Sequence, residues 1–167
     1  MEKLYASGKT RSIGVSNWTI AGLQTLLSYA VIPPVVNQVE IHPYLPNTAL
    51  LAFCKSHSIL PVAYSPLGSQ HQVDHSLSFV SSDPVLTALA KRKGVSFAQV
   101  LIAWGLKRGY AVLPKSSNAE RIKSNFEVVD LSEDEFEEIN EVAKRKNDRF
   151  VNLKDTFGYN VWPEGTN

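Results

Sequence analysis

Short apolar runs alternate along the chain with stretches whose apolar residues recur every three or four positions, the periods of strands and amphipathic helices. Residues 12–16 (SIGVS) read as a strand closing in a polar turn, and 20–30 as a helix with Leu23, Leu26 and Leu27 at helical spacing. Residues 35–41 (VVNQVEI) form a second strand, and a helix starting at Pro46 and Asn47 carries Leu50, Leu51 and Cys54 on one side. The third strand is 59–65 (ILPVAYS); Pro61 has no N–H for a ladder, so the strand proper is expected just after it. Residues 68–82 are a polar loop. Asp83 and Pro84 are an N-cap and first-turn pair for a helix to about Lys93, which Gly94 ends. Ser96 and Gln99 form a capping box for a helix through Trp104 to about Lys107, closed by Gly109. A fourth strand over 110–113 and a short helix over 118–125 follow. The last clear helix is 131–146, with Ser132 and Glu135 as a second capping box, acids in its first half and Lys144, Arg145 and Lys146 in its last turn. Phe136, Ile139 and Ala143 supply its inner face, and the aromatic-rich segment after Asn147 predicts a packed terminal loop.

This order calls for parallel strands joined by right-handed crossovers. Polar residues follow each strand at its C-terminal end: Ser16 and Asn17, then Glu40 to His42, then 65–68, then Lys115 to Ser117. Ligands bind at that end in a (β/α) barrel and in an open parallel sheet alike, so the pattern does not separate the two. The fourth end is chemically distinct. In VLPKSSNAERIKSN (112–125), Lys115, two hydroxyls and a helix first turn holding Arg121 converge as a site for an anion would require.

Composition narrows the function. The 167 residues fit one domain, 44% hydrophobic and 20% charged, enough to build a core. A net charge of +1 gives no sign of the strong basic patch of nucleic-acid binders. No apolar run approaches the ~20 residues that span a bilayer, and the N-terminal MEKLYASGKTRS lacks the apolar core of a secretory signal, so the expected compartment is the cytosol. Cys54 stands alone in a helical apolar pattern and reads as a buried, inert thiol. In HQVDH (71–75) no flanking helical pattern puts His71 and His75 on one face, so a polar loop is favoured over a metal site with Asp74. His42 and His57 read as structural or exposed. Trp18 and Trp162 either line a substrate pocket or pack.

GVSN (14–17), NQVEIHPY (37–44), YSPLGS (64–69) and LPKSSNAERIKSN (113–125) occur in that order, and with the lead-in SGKTRSIG they resemble the second half of an aldo-keto reductase. The closing DRFVNL and FGYNVWPE resemble the fungal and yeast members. The resemblance covers nearly all of the chain. It implies the C-terminal half of a (β/α)8 barrel as one partial domain, about four parallel strands with helices, an extra C-terminal helix and a terminal loop. It also implies NADP(H) as cofactor and a small aldehyde or ketone as substrate. Ser16, Asn17 and Gln38 would hydrogen-bond the nicotinamide carboxamide, whose donors and acceptor suit amides and a hydroxyl. Ser16 and Asn17 also read as a helix cap, a use compatible with that contact. Tyr64 would stack on the nicotinamide, and Ser65, Leu67 and Ser69 would line the pyrophosphate turn, where Gly68 lets backbone come close. Lys115, Ser116 and Arg121 would grip the 2′-phosphate, Arg121 bidentately and Lys115 as a point charge. Asn125 would face the adenine; many members carry Glu just before that Asn, where this chain has Ser124.

The family's catalytic Asp, Tyr, Lys and His belong to the first half of the barrel, upstream of Met1, so no catalytic residue is expected among these 167. Without a tuned acid, hydride transfer to a carbonyl lacks its proton donor. Two unpaired edge strands and an open apolar face favour a homodimer or binding of the missing N-terminal half. The competing expectation is a catalytically inactive half-barrel that binds nucleotide or a partner chain.

Overall fold

The computed structural model describes residues 1–68, 79–151 and 154–162. Four strands, β1 (Val15–Ser16), β2 (Val36–Glu40), β3 (Leu60–Tyr64) and β4 (Ala111–Val112), form one sheet in the order β1-β2-β3-β4. β1 pairs with β2 in parallel, Val15 opposite Asn37 and Ser16 opposite Gln38. Sheet neighbours that follow one another in sequence, each reached through helix, are the arrangement of half of a (β/α)8 barrel.

The helices are α1 (Glu2–Ala6), α2 (Ile20–Leu27), α3 (Thr48–Ser56), α4 (Pro84–Lys93), α5 (Phe97–Lys107), α6 (Ala119–Phe126), α7 (Glu133–Lys144) and α8 (Lys154–Phe157), with a 3-10 turn at Val80–Ser82. Their ends follow local chemistry. Asp83 accepts from the N–H groups of Val85 and Leu86, and Gly94 ends α4 in the left-handed region. Both expected capping boxes form, on α5 and α7. α7 buries Ile139, Val142 and Ala143, while Phe136 is half-buried.

Three expectations need correction. Ser16 and Asn17 do not cap the following helix. Thr19 does, its side chain accepting from the Gly22 N–H. Pro61 lies inside β3 rather than before it. Leu60 donates to Val35 O, so the next nitrogen faces the opposite edge, toward β4, which is only two residues long and makes little demand for a donor there. The first and fourth strands are also shorter than their apolar runs.

The chain divides into two compact units. Unit 1 comprises Met1–Val39, Asn47–Val62 and Leu153–Asn167. Its core includes Leu23, Val39, Leu50, Cys54 and Ile59. Asn37 is buried there and satisfied through its amide, which donates to Trp18 O at 2.9 Å and accepts from Trp18 N–H at 3.4 Å. Burial raises the Cys54 thiol pKa, the inert state expected of it. Unit 2 comprises Glu40–Pro46 and Ala63–Asn152 and packs α4 against α5 and α7 around Leu86, Leu89, Leu101, Trp104 and Ile139. Trp104 buries its ring and gives its N–H to Asn140 Oδ1 at 2.9 Å, the partner a buried indole requires. No described helix is long and apolar enough to cross a membrane.

Candidate functional site

Unit 2 holds a cleft of about 470 Å3, within the range of ligand pockets. One wall is the turn after β3, Ser65 to Gly68; the other is the segment after β4, with Leu113, Lys115, Ser116 and Ser117. Arg121 reaches it from α6 and Phe97 from the first position of α5.

The turn is tightly made. Gly68 has φ +78° and donates to Ser65 O at 2.9 Å, and a Cβ added to it would stand 2.7 Å from Val80 Cγ2. Only glycine fits both demands. Ser65 itself is held at φ +48°, a conformation costly for a residue with a Cβ and kept only where neighbours over-determine it. Opposite, Asn118 caps α6 by accepting from the Arg121 N–H at 2.9 Å. Ser116 Oγ accepts from the Asn118 N–H at 3.2 Å, which ties the loop to the helix start.

Two cations share the cleft. Lys115 is exposed, and among the described residues neither Lys115 nor Arg121 makes an ion pair. Two cations, hydroxyls and the start of an eight-residue helix, with no carboxylate among the described residues of the lining, suit an anion.

Of the residues expected at a site, Ser65, Leu67, Lys115, Ser116 and Arg121 come together here. Tyr64, half-buried, is the last residue of β3 and immediately precedes the cleft wall. Asn125 is half-buried on α6 and does not line the cleft. Ser69, and the HQVDH segment with it, lie outside the described residues. Ser16, Asn17 and Gln38 belong to unit 1. There Ser16 Oγ and the Asn17 N–H both donate to Gln38 O at 2.9 Å, and Asn17 takes φ +59°. The Gln38 amide side chain is half-buried and makes no hydrogen bond among the described residues, so its donors and acceptor remain available.

Sequence reasoning missed Phe97, Leu113 and Pro66 as lining residues, while Ser117 is the second of the two hydroxyls expected beside Lys115. Phe97 follows the capping residue Ser96, which signalled a helix start but nothing about a partner beyond it. The polar end of β2 is not open to a ligand either. Glu40 and His42 are fully buried, joined through His42 Nε2 and Glu40 Oε1 at 3.0 Å. His57 is exposed and stacks on Phe53, and Trp162 is buried, while Trp18 lines a separate apolar cavity within unit 1.

Comparison with known proteins follows the same lines. The sequence model described as the Aldo/keto reductase family matches residues 1–144. Glycerol 2-dehydrogenase (NADP(+)) of Hypocrea jecorina is 61% identical over 164 residues, 98% of this chain and 52% of that protein. The Saccharomyces cerevisiae protein of the same name is 44% identical over 153 residues, 90% of this chain and 47% of its own. Among solved structures, an aldose reductase from Giardia lamblia superposes with a TM-score of 0.87 at 38% identity, covering 97% of this chain and 54% of that one. A Bombyx mori aldo-keto reductase in complex with NADP gives 0.85 at 34% identity, covering 98% and 54%. The chain thus spans about half the length of the relatives it matches.

Proposed function

The chain belongs to the aldo/keto reductase family, and from that premise we propose that it is the NADP(H)-holding half of a carbonyl reductase, with the unit 2 cleft taking the 2′-phosphate end of the dinucleotide. The observation that carries this reading is the pair of unneutralised cations, Lys115 and Arg121, in one cleft with Ser116 and a helix start. A dianionic phosphate ester supplies the charge they lack, and the guanidinium adds directional, bidentate bonding. The 65–68 turn, with its glycine-only approach at Gly68, suits the pyrophosphate. Phe97 adds an aromatic ring to the cleft lining, and Asn125, half-buried on α6 beyond that lining, is the amide the family resemblance assigns to the adenine.

In unit 1 the free amide of Gln38, with Ser16 and Asn17, matches the donors and acceptor of a carboxamide. Tyr64 offers its ring to the nicotinamide. When bound, the cofactor supplies a hydride to a carbonyl carbon. The carbonyl oxygen must then receive a proton from a positioned acid, and the residues assigned here are all engaged in binding. The Asp, Tyr, Lys and His of the family's catalytic group therefore come from outside these 167 residues. Relatives named for glycerol, aldehyde and D-galacturonate support a small polar carbonyl compound as the substrate class. Ile122 and Phe126, one turn apart on α6, are both exposed, which supports association with a second copy or with the segment carrying the other strands.

Fluorescence titration with NADPH and NADH tests the cleft. NADPH should bind at least about tenfold more tightly, the effect of roughly 1.4 kcal/mol. Equal affinities would remove Lys115 and Arg121 from the 2′-phosphate. The chain by itself, mixed with NADPH and glyceraldehyde, should show no loss of NADPH absorbance. Clear turnover would overturn the statement that its acid lies elsewhere.

A further inference from the structure

We propose that Glu40 is a positioning residue whose buried carboxylate fastens residues 148–151, and that Phe150 carries this attachment to the 65–68 turn walling the cleft. Only its consequence for the cofactor rests on the reading above. The attachment itself does not.

Glu40 ends β2 and is completely buried. Its Oε1 accepts from the Phe150 N–H at 3.0 Å and from His42 Nε2 at 3.0 Å, and its Oε2 accepts from the Val151 N–H at 3.0 Å. Arg149 Nη1 stands 3.9 Å from the same Oε2. An ionised carboxylate has only acceptors, so three donors and a nearby guanidinium satisfy it, whereas a neutral amide in its place would present a donor to a donor. The Asp148 N–H adds a bond of 2.6 Å to Tyr44 O, so three backbone amides of the segment are tied to two buried residues, Glu40 and Tyr44.

Between those bonds lies the Phe150 ring. It stacks on His42 with centroids 4.8 Å apart and planes at 18°. Its other edge meets the turn: a Cβ built on Gly68 would lie 3.5 Å from Phe150 Cε2 and 2.7 Å from Val80 Cγ2. The side of Gly68 where a Cβ would stand is therefore closed in by Phe150 and Val80 together. A turn that holds Ser65 at positive φ needs such outside support. His42 serves the same end. Its Nε2 faces Glu40, and Nδ1 has no partner among the described residues. The ring acts as a platform for Phe150.

Site-resolved hydrogen exchange on the full chain tests this. In Glu40→Gln the Phe150 and Val151 amides should exchange at least about tenfold faster, and the Gly68 amide likewise, while Ile139 in α7 stays unchanged. Phe150→Leu, which keeps every bond to Glu40, should accelerate Gly68 and leave Val151 protected. A Gly68 amide indifferent to both variants would overturn the proposal. So would equal acceleration of Gly68 and Ile139, which reports general loss of stability. If Glu40→Gln does not fold, the Phe150→Leu result decides alone. Titration with NADPH then addresses the consequence. Phe150→Leu should bind about tenfold more weakly than the native chain, and equal affinity with Gly68 accelerated would overturn the link to the cleft. Absence of binding by both would overturn the cofactor assignment, leaving the exchange result to decide the attachment.

Discussion

Ser116 Oγ accepts a hydrogen bond from Arg121 Nε at 3.3 Å, so the hydroxyl fixes the guanidinium by its inner nitrogen and leaves the outer pair for a ligand. Ser116→Ala should free the side chain to rotate. NADPH affinity should fall several-fold, the effect of about 1 kcal/mol for one ordinary hydrogen bond, with NADH affinity unchanged. Arg121→Ala should cost more, about 2–3 kcal/mol, because the bonds lost are charge-assisted. Titrating both nucleotides against both variants checks the order, and a matching fall for NADH would separate Ser116 from the 2′-phosphate.

Asp83 joins two structures at once, capping α4 through Oδ1 and accepting from Tyr44 OH through Oδ2 at 2.9 Å. Burial and this carboxylate both push the Tyr44 pKa up, so the phenol remains a donor. Asp83→Ala removes a cap worth about 1 kcal/mol and orphans a buried hydroxyl worth about 1–3 kcal/mol. Asp83→Asn keeps a capping oxygen and should lose less. Urea unfolding should show the two midpoints falling in that order at constant slope.

Gly105 sits inside α5, where alanine would ordinarily gain about 1 kcal/mol in helix propensity. A Cβ there would lie 2.7 Å from Tyr110 Cε2 and 2.8 Å from Val112 Cγ1. Overpacking of about 1–3 kcal/mol should outweigh the propensity gain, so Gly105→Ala is expected to lower Tm. A rise in Tm would mean that Tyr110 and Val112 yield freely.

Lys93 and Glu135 tie α4 to α7 at 2.8 Å, with both side chains largely shielded. The hydrogen bond from Lys93, followed by that from the Ser132 N–H, holds the Glu135 carboxyl below its ordinary value. A folded-state pKa below the unfolded one adds stability that is present above the unfolded value and lost as pH falls through the folded value. Lys93→Met should therefore destabilise by about 1 kcal/mol at neutral pH, and the difference should shrink as pH falls below about 4.5. Thermal unfolding of both proteins across that window measures it.

Local signals in the sequence were sufficient for the helix ends. Ser96 with Gln99, Ser132 with Glu135 and Asp83 with Pro84 need only their own neighbours to act, and each does so where its spacing predicts. Strand extent was less legible, because a strand lasts only as long as its partner: β1 and β4 are two residues each inside longer apolar runs. Pro61 sits within β3 because β4 is too short to demand its missing donor. The cleft was half legible. Lys115, Ser116 and Arg121 lie within one short segment, whereas Phe97 reaches it from another helix with nothing in its sequence neighbourhood to mark it. Glu40 read as a polar strand end facing a ligand. Its two backbone donors are 110 and 111 residues away, so no local pattern reports that the carboxylate is already taken.

That separation has a consequence for biosynthesis. A ribosome delivers Glu40 first and Phe150 and Val151 only 110 and 111 residues later, so for most of translation the carboxylate has neither backbone donor and must stay hydrated. The stretch Glu40–Pro46 cannot take its buried form early, however well its own turn is made. Unit 2 is thus completed only once Val151 has emerged, and a nascent chain stalled before Asp148 would present that stretch unburied to chaperones and proteases.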